Sequence, residues 1–145
     1  MKQASLPQKN RIDGGLVDLS KKLSFRFDGR HYTGFHGDTL ASALLANNVR
    51  LVGRSFKYHR PRGIFSAGSE EPNALVTIGY GARRDPNCRA SNTELCDGMT
   101  AQSQTKIGTL SFDLMAVNNY LSPLLGAGFY YKTFMWPSTF WEKLY

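Results

Sequence analysis

The hydrophobic pattern becomes regular at "LSFRFDGRHYTGF", where Leu23, Phe25 and Phe27 alternate with Ser24 and Arg26, break at Asp28-Gly29, and resume through His31, Tyr32 and Phe35. Alternation across an Asp-Gly pair predicts a β-hairpin, because a tight type I′ turn needs positive φ at both central residues. "GDTLASALLANNVRL" follows, with Leu40, Leu44 and Leu45 at helical spacing and Ala41, Ala43 and Ala46 adding helix propensity. Asp38 is expected as its N-cap and Asn47-Asn48 as its end. "ALVTIGY" at 74–80 reads as a short strand, apolar enough for the middle of a sheet. "GARRDPN" reads as a turn, and "CRASNTELCDGMTAQSQT" as one or two strands broken at Asp97-Gly98. Beyond them Leu114, Val117, Leu121 and Leu124 repeat at roughly helical spacing, with Ser111 as the expected cap and Pro123 as a kink or stop. The polar first 20 residues carry neither period and are expected to form a flexible arm.

The resulting order is two strands, a helix, a long loop and further strands. This is the plan of an α+β, β-grasp domain whose sheet buries one face on the helix. The expected boundaries are an arm over 1–20, the β-grasp domain over 21–108, and a helix with an aromatic-rich extension over 109–145. Plant-type [2Fe–2S] ferredoxins use the same plan, with cluster cysteines spaced C-x4-C-x2-C on the loop after the helix and a fourth further on. Here that spacing falls on Ser66, Glu71 and Ala74, with Ser91 at the fourth position. None of these is a thiolate donor. Cys88 and Cys96 would still leave two ligands missing, and their spacing matches no zinc or redox pair.

Composition narrows the partners. A 145-residue chain with 41% hydrophobic residues is enough for one core, and its net charge of +7 favours an anionic partner. There is no apolar leader and no run near the ~18 apolar residues of a membrane span, so the expectation is a soluble, cytoplasmic chain without a membrane partner.

The densest charge lies in "GRSFKYHRPRGIFSAGSEEPNALVTI" at 53–78. Arg54, Lys57, His59, Arg60 and Arg62 form a candidate anion site for a flavin or nicotinamide phosphate, with Gly63 letting backbone approach. Equally, these groups pair with Glu70, Glu71 and aspartates or face solvent. Glu70-Glu71 are adjacent, so loop capping fits them better than acid–base chemistry. His31 and His59 have no partner at metal-ligand spacing, and no nucleophile–base set is present, so no catalytic residue is assigned. A second class of reading is a small basic module for nucleic acid or another polyanion, with Phe56 and Tyr58 as stacking platforms. The remaining positive charge, on Arg11, Lys21, Lys22, Arg83 and Arg84, forms no stripe, which weighs against nucleic acid.

The stretches "GDTLASALLANNVRLVGRSFKYHRPRGI", "AGSEEPNALV" and "LLGAGFYYKTFMWP" resemble the N-terminal part of the α subunit of heterotetrameric sarcosine oxidase. The same β-grasp plan with its cysteines present resembles the ferredoxin-like components of hydrogen cyanide synthase and opine oxidases. What the resemblance implies is a scaffold and interface region within a complex that oxidises sarcosine to glycine and hydrogen peroxide and passes the one-carbon unit to tetrahydrofolate. It implies FAD, FMN and NAD in the assembly and none in this chain alone. It also implies the remaining α-subunit domains and β, γ and δ subunits as partners. Gly126-Ala-Gly128 lacks the third glycine of a dinucleotide fingerprint. The segment 129–145 holds eight of the 18 aromatic residues, so it is expected to pack on the rest of its own subunit.

Overall fold

The computed structural model describes residues 8–12 and 15–123. A five-stranded sheet is built from β1 (Asp18–Phe27), β2 (Arg30–His36), β5 (Leu75–Ile78), β6 (Asp85–Arg89) and β7 (Met99–Ser103) in the order β2-β1-β7-β5-β6. β1 and β7 run parallel, with Phe25 opposite Met99 and Phe27 opposite Ala101, and the other pairings are antiparallel. A small second ribbon joins β3 (Gly53–Arg54) to β4 (Pro61–Arg62). With one α-helix among the described residues, α1 (Leu40–Ala46), the arrangement is a β-grasp-like α+β fold.

The hairpin forms where the sequence placed it. Asp28 and Gly29 take φ of 49° and 78°, the type I′ requirement. The turn is also tied to the far end of β7. The Asp28 carboxylate accepts from the Ser103 N–H at 2.9 Å and hydroxyl at 2.7 Å, and it pairs with Lys106 at 2.7 Å. Phe25 and Phe27 of β1, Val76 of β5 and Ala101 of β7 then bury against Leu40, Ala43 and Leu44 of α1. Gly34 makes room for that approach: a Cβ there would lie 3.1 Å from Ala43 Cβ of α1 and would collide with Leu95 Cδ2.

Four expectations change. The N-cap is Thr39, not Asp38, in a capping box with Ser42. Asp38 is instead buried one residue earlier. Its carboxylate accepts from Phe35 N–H at 2.9 Å and Ser42 hydroxyl at 2.7 Å, and pairs with Arg11 at 2.6 Å. Arg11 belongs to the stretch expected as a free arm, where Asn10 also bonds the Leu45 carbonyl and Gln8 the Thr33 carbonyl. Strand β1 itself begins inside that stretch, at Asp18. Third, only Gly81–Arg83 of the expected turn is a turn, because Asp85–Arg89 pairs with β5. Pro86 is tolerated there because β6 is the sheet edge. Fourth, the expected helix after Ser111 is a 3-10 segment, Leu114–Asn119, with no side-chain cap. Leu114, Val117 and Leu121 face outward at 62%, 52% and 44% exposure, so the helical period has no buried face to reward it. Gly126, Gly128 and the aromatic segment lie outside the described residues.

Candidate functional site: a basic latch and a carboxylate-filled loop

The 54–62 segment loops out between β3 and β4 and closes through Ser55, whose N–H donates to the Arg60 carbonyl at 3.0 Å while its carbonyl accepts from His59 N–H at 3.0 Å. Closing so tightly puts His59 at φ 51°, in the left-handed region. Its ring is buried, and Nδ1 lies 2.6 Å from Asp113 Oδ2. A carboxylate only accepts, so Nδ1 carries the proton of this bond. Arg54 completes the cluster. Its Nε and Nη2 donate to the Leu110 carbonyl at 3.0 and 2.5 Å, its Nη1 donates to the His59 carbonyl at 2.7 Å, and Nε is 3.7 Å from Asp113 Oδ2.

Asp113 is the hub of this latch. Its other oxygen accepts from Ile107 N–H at 2.7 Å. Burial works to raise its pKa, but the Ile107 N–H and the His59 ring outweigh burial and hold it below the usual carboxylate range. Two of the five candidate anion-site cations, Arg54 and His59, are therefore turned inward to fix the segment 107–113. Arg60 extends the seam outward, donating to Asn119 Oδ1 at 2.7 Å with its guanidinium 4.6 Å over the Tyr58 ring. The Lys57 ammonium lies 5.1 Å from the centroid of the same ring, and the Lys57 carbonyl accepts from the Asn118 side-chain amide at 3.3 Å. Arg62 bonds Asn73 Oδ1 at 3.1 Å. Gly63 serves packing, since a Cβ would lie 2.7 Å from the Arg50 carbonyl oxygen. Around this seam the apolar side chains of Phe56, Phe112 and Tyr120 are 82%, 73% and 83% exposed.

The second feature is the loop 65–74. Glu71 is 1% exposed and its carboxylate is enclosed by backbone donors. One oxygen accepts from the N–H groups of Phe65, at 2.7 Å, and Ser66; the other accepts from Asn73 at 2.8 Å and Ala74 at 3.1 Å. Burial again works to raise the pKa, and the N–H groups, led by Ser66, overcome it and hold the carboxyl below its usual range. Capping of the loop by Glu71 is what the structure contains. Ser91 reaches the same loop, its hydroxyl donating to the Gly68 carbonyl at 2.8 Å, and the Ala90 N–H bonds the Ala74 carbonyl at 2.9 Å. Ser66, Glu71, Ala74 and Ser91 are thus brought together, as the spacing required. Nothing in the sequence pattern pointed to Asp113, which lies 54 residues from His59.

Comparison with known proteins gives this arrangement a lineage. Residues 20–106 match the family described as 2Fe-2S iron-sulfur cluster binding domain. The chain is 65% identical over 131 residues to the sarcosine oxidase subunit alpha of Rhizobium meliloti (strain 1021), covering 90% of this chain and 13% of that protein. It is 42% identical over 100 residues to the subunit of the same name from Corynebacterium sp. (strain U-96), covering 67% of this chain and 10% of that one. The chain therefore spans only about an eighth of the R. meliloti relative. A looser likeness, TM-score 0.47 and 27% identity over 58% of this chain and 16% of the other, links it to L-proline dehydrogenase from P.horikoshii.

The family description implies an iron–sulfur cluster, and the residues present do not fit one. Such a cluster needs thiolates, whereas the four converging positions offer two hydroxyls, a methyl group and a carboxylate already saturated by backbone. Cys88 is on β6, bonded to the Asp85 carbonyl at 3.4 Å, and Cys96 is exposed ahead of β7. Among the described residues no group of three or more His, Cys, Asp or Glu is placed to hold a metal. With residues 20–106 matched, the chain belongs to the 2Fe-2S iron-sulfur cluster binding domain family, and over most of its length it is similar to sarcosine oxidase α subunits.

Proposed function

We propose that this chain is the scaffold and interface region of a sarcosine oxidase α subunit. The complex oxidatively demethylates sarcosine to glycine, an oxidation at a CH–NH group with oxygen as acceptor, and transfers the one-carbon unit to tetrahydrofolate. FAD, FMN and NAD belong to the assembled enzyme, and the 145 residues alone are inactive. Its partners are the remaining α-subunit domains and the β, γ and δ subunits, in the cytoplasm, with neither nucleic acid nor membrane bound. Among the described residues no helix is long and apolar enough to cross a bilayer.

One observation carries the interface reading. Buried Arg54 and His59, with exposed Arg60, fasten segment 107–119 to the basic loop, while Phe56 of that loop, Phe112 of the segment and Tyr120 just beyond it stay exposed. Fixing a surface rigidly while leaving large aromatics uncovered is how a protein prepares a docking face. Arg60 and Arg62 lie in the loop that bears it, available to a partner carboxylate or to a cofactor phosphate. The test is the full-length α subunit co-expressed with its partners, carrying Arg60→Ala with Arg62→Ala, or Phe112→Ser with Tyr120→Ser. Subunit assembly or flavin content should fall sharply, while the melting temperature of the 145-residue chain changes little, because exposed charges contribute little to stability. Normal assembly, flavin content and turnover in both double variants would remove the interface reading.

A further inference from the structure

We propose that the loop from Phe65 to Ala74 is an anion-binding cradle whose ligand is the chain's own Glu71 carboxylate, and that with this carboxylate deleted the cradle accepts a small external carboxylate. The geometry is that of an anion nest. Four backbone N–H groups, from Phe65, Ser66, Asn73 and Ala74, converge on two oxygens from both ends of the loop. All four donors are main-chain groups, fixed in place by the loop's path and not by the identity of its side chains. The recess is closed off from solvent, with Glu71 1% exposed and Ala74 0% exposed. There, unmatched N–H groups are costly and an anion is strongly held.

A second observation comes from the cradle's own wall. The Ser66 hydroxyl oxygen is buried with no hydrogen-bond partner. Glu71 satisfies the backbone of this loop but not all of its polar groups. The enclosure is closed by a side chain that arrives from within the loop itself. The loop therefore reaches its shape without metal.

The experiment is chemical rescue in the 145-residue chain, using formate as the probe. Glu71→Ala should melt roughly 10 °C below the unaltered chain, since four buried donors lose their acceptor. Sodium formate should recover about half of that loss, beyond the effect of sodium chloride at equal ionic strength. The unaltered chain and Glu71→Gln, whose recesses are filled, should respond to the two salts alike. A folded Glu71→Ala chain that melts normally, or that formate helps no more than chloride, would overturn the proposal. If Glu71→Ala does not fold in either salt, amide exchange in the unaltered chain decides. Protection of the Phe65, Ser66, Asn73 and Ala74 amides that is lost together on acidification supports the cradle. Exchange at open-loop rates at neutral pH contradicts it.

Discussion

The two buried carboxylates, Asp113 and Glu71, do the same physical work by opposite means. Asp113 joins segments far apart in sequence through side chains, meeting His59 and Arg54 across more than fifty residues. Glu71 works within one loop, on donors no more than six residues away, all of them backbone. The latch therefore depends on three side-chain identities, with Asp113 the one that both of the others meet. The cradle depends on one, because its donors survive any substitution except proline. A loop whose donors are all main-chain groups keeps them whatever its side chains, and a single carboxylate is enough to satisfy them.

Breaking the latch should have the largest effect. Asp113→Ala leaves buried Arg54 without its counter-charge and the His59 Nδ1–H without its acceptor, and removing one partner of a buried ion pair costs about 3 kcal/mol or more. Denaturant unfolding should register that loss, and hydrogen exchange should show segment 107–119 opening while the β1–β7 pairing stays protected. Loss of protection across the whole sheet would mean the latch is part of the core and not an added fastening.

Glu71→Gln tests the cradle on a smaller scale. The amide keeps the shape but offers one acceptor oxygen, and its NH2 faces two N–H donors, so a loss of about 2 kcal/mol is expected by the same unfolding measurement. Exchange should quicken at the amides on one side of the loop and leave segment 107–119 untouched. A change confined to 107–119 would show that the two sites are coupled.

Acid titration separates them most finely. Both carboxyls titrate below their ordinary range in the folded chain. A carboxylate with a depressed folded pKa contributes stability that is complete above its unfolded pKa of about 4 and is lost as pH falls through the folded value. Stability should therefore be level above about pH 5 and decline below about pH 4. Glu71→Gln should decline less steeply, because one of the two carboxylates no longer takes up a proton on unfolding. An unchanged slope would mean that Glu71 has the same proton affinity in the folded and unfolded chains, and would contradict the lowered pKa.

What the sequence revealed follows the same division between local and distant. The hairpin was legible because Asp28-Gly29 states its backbone geometry in two residues, and the four converging positions were legible because ligand spacing is local. The helix was found with its cap displaced by one residue, since Thr39 and Ser42 form a reciprocal pair that outcompetes Asp38, which the distant Arg11 draws away. The Arg54–His59–Asp113 latch was invisible. The periodicity around Asp113 suggests a helix, and no one-dimensional pattern tells a charge that meets solvent from one that meets a partner fifty residues on. The basic segment read as an anion site for the same reason: composition counts cations but does not say which way they point.

The most direct test is to express the 145-residue chain with ample iron and sulfide, purify it without oxygen, and measure iron, acid-labile sulfide and the visible spectrum together with folding. The expected result is a cooperatively folded, colourless protein with no stoichiometric iron or sulfide, its loop held by Glu71. Stoichiometric iron and sulfide with a charge-transfer band, in a chain whose Glu71 amides exchange freely, would contradict it.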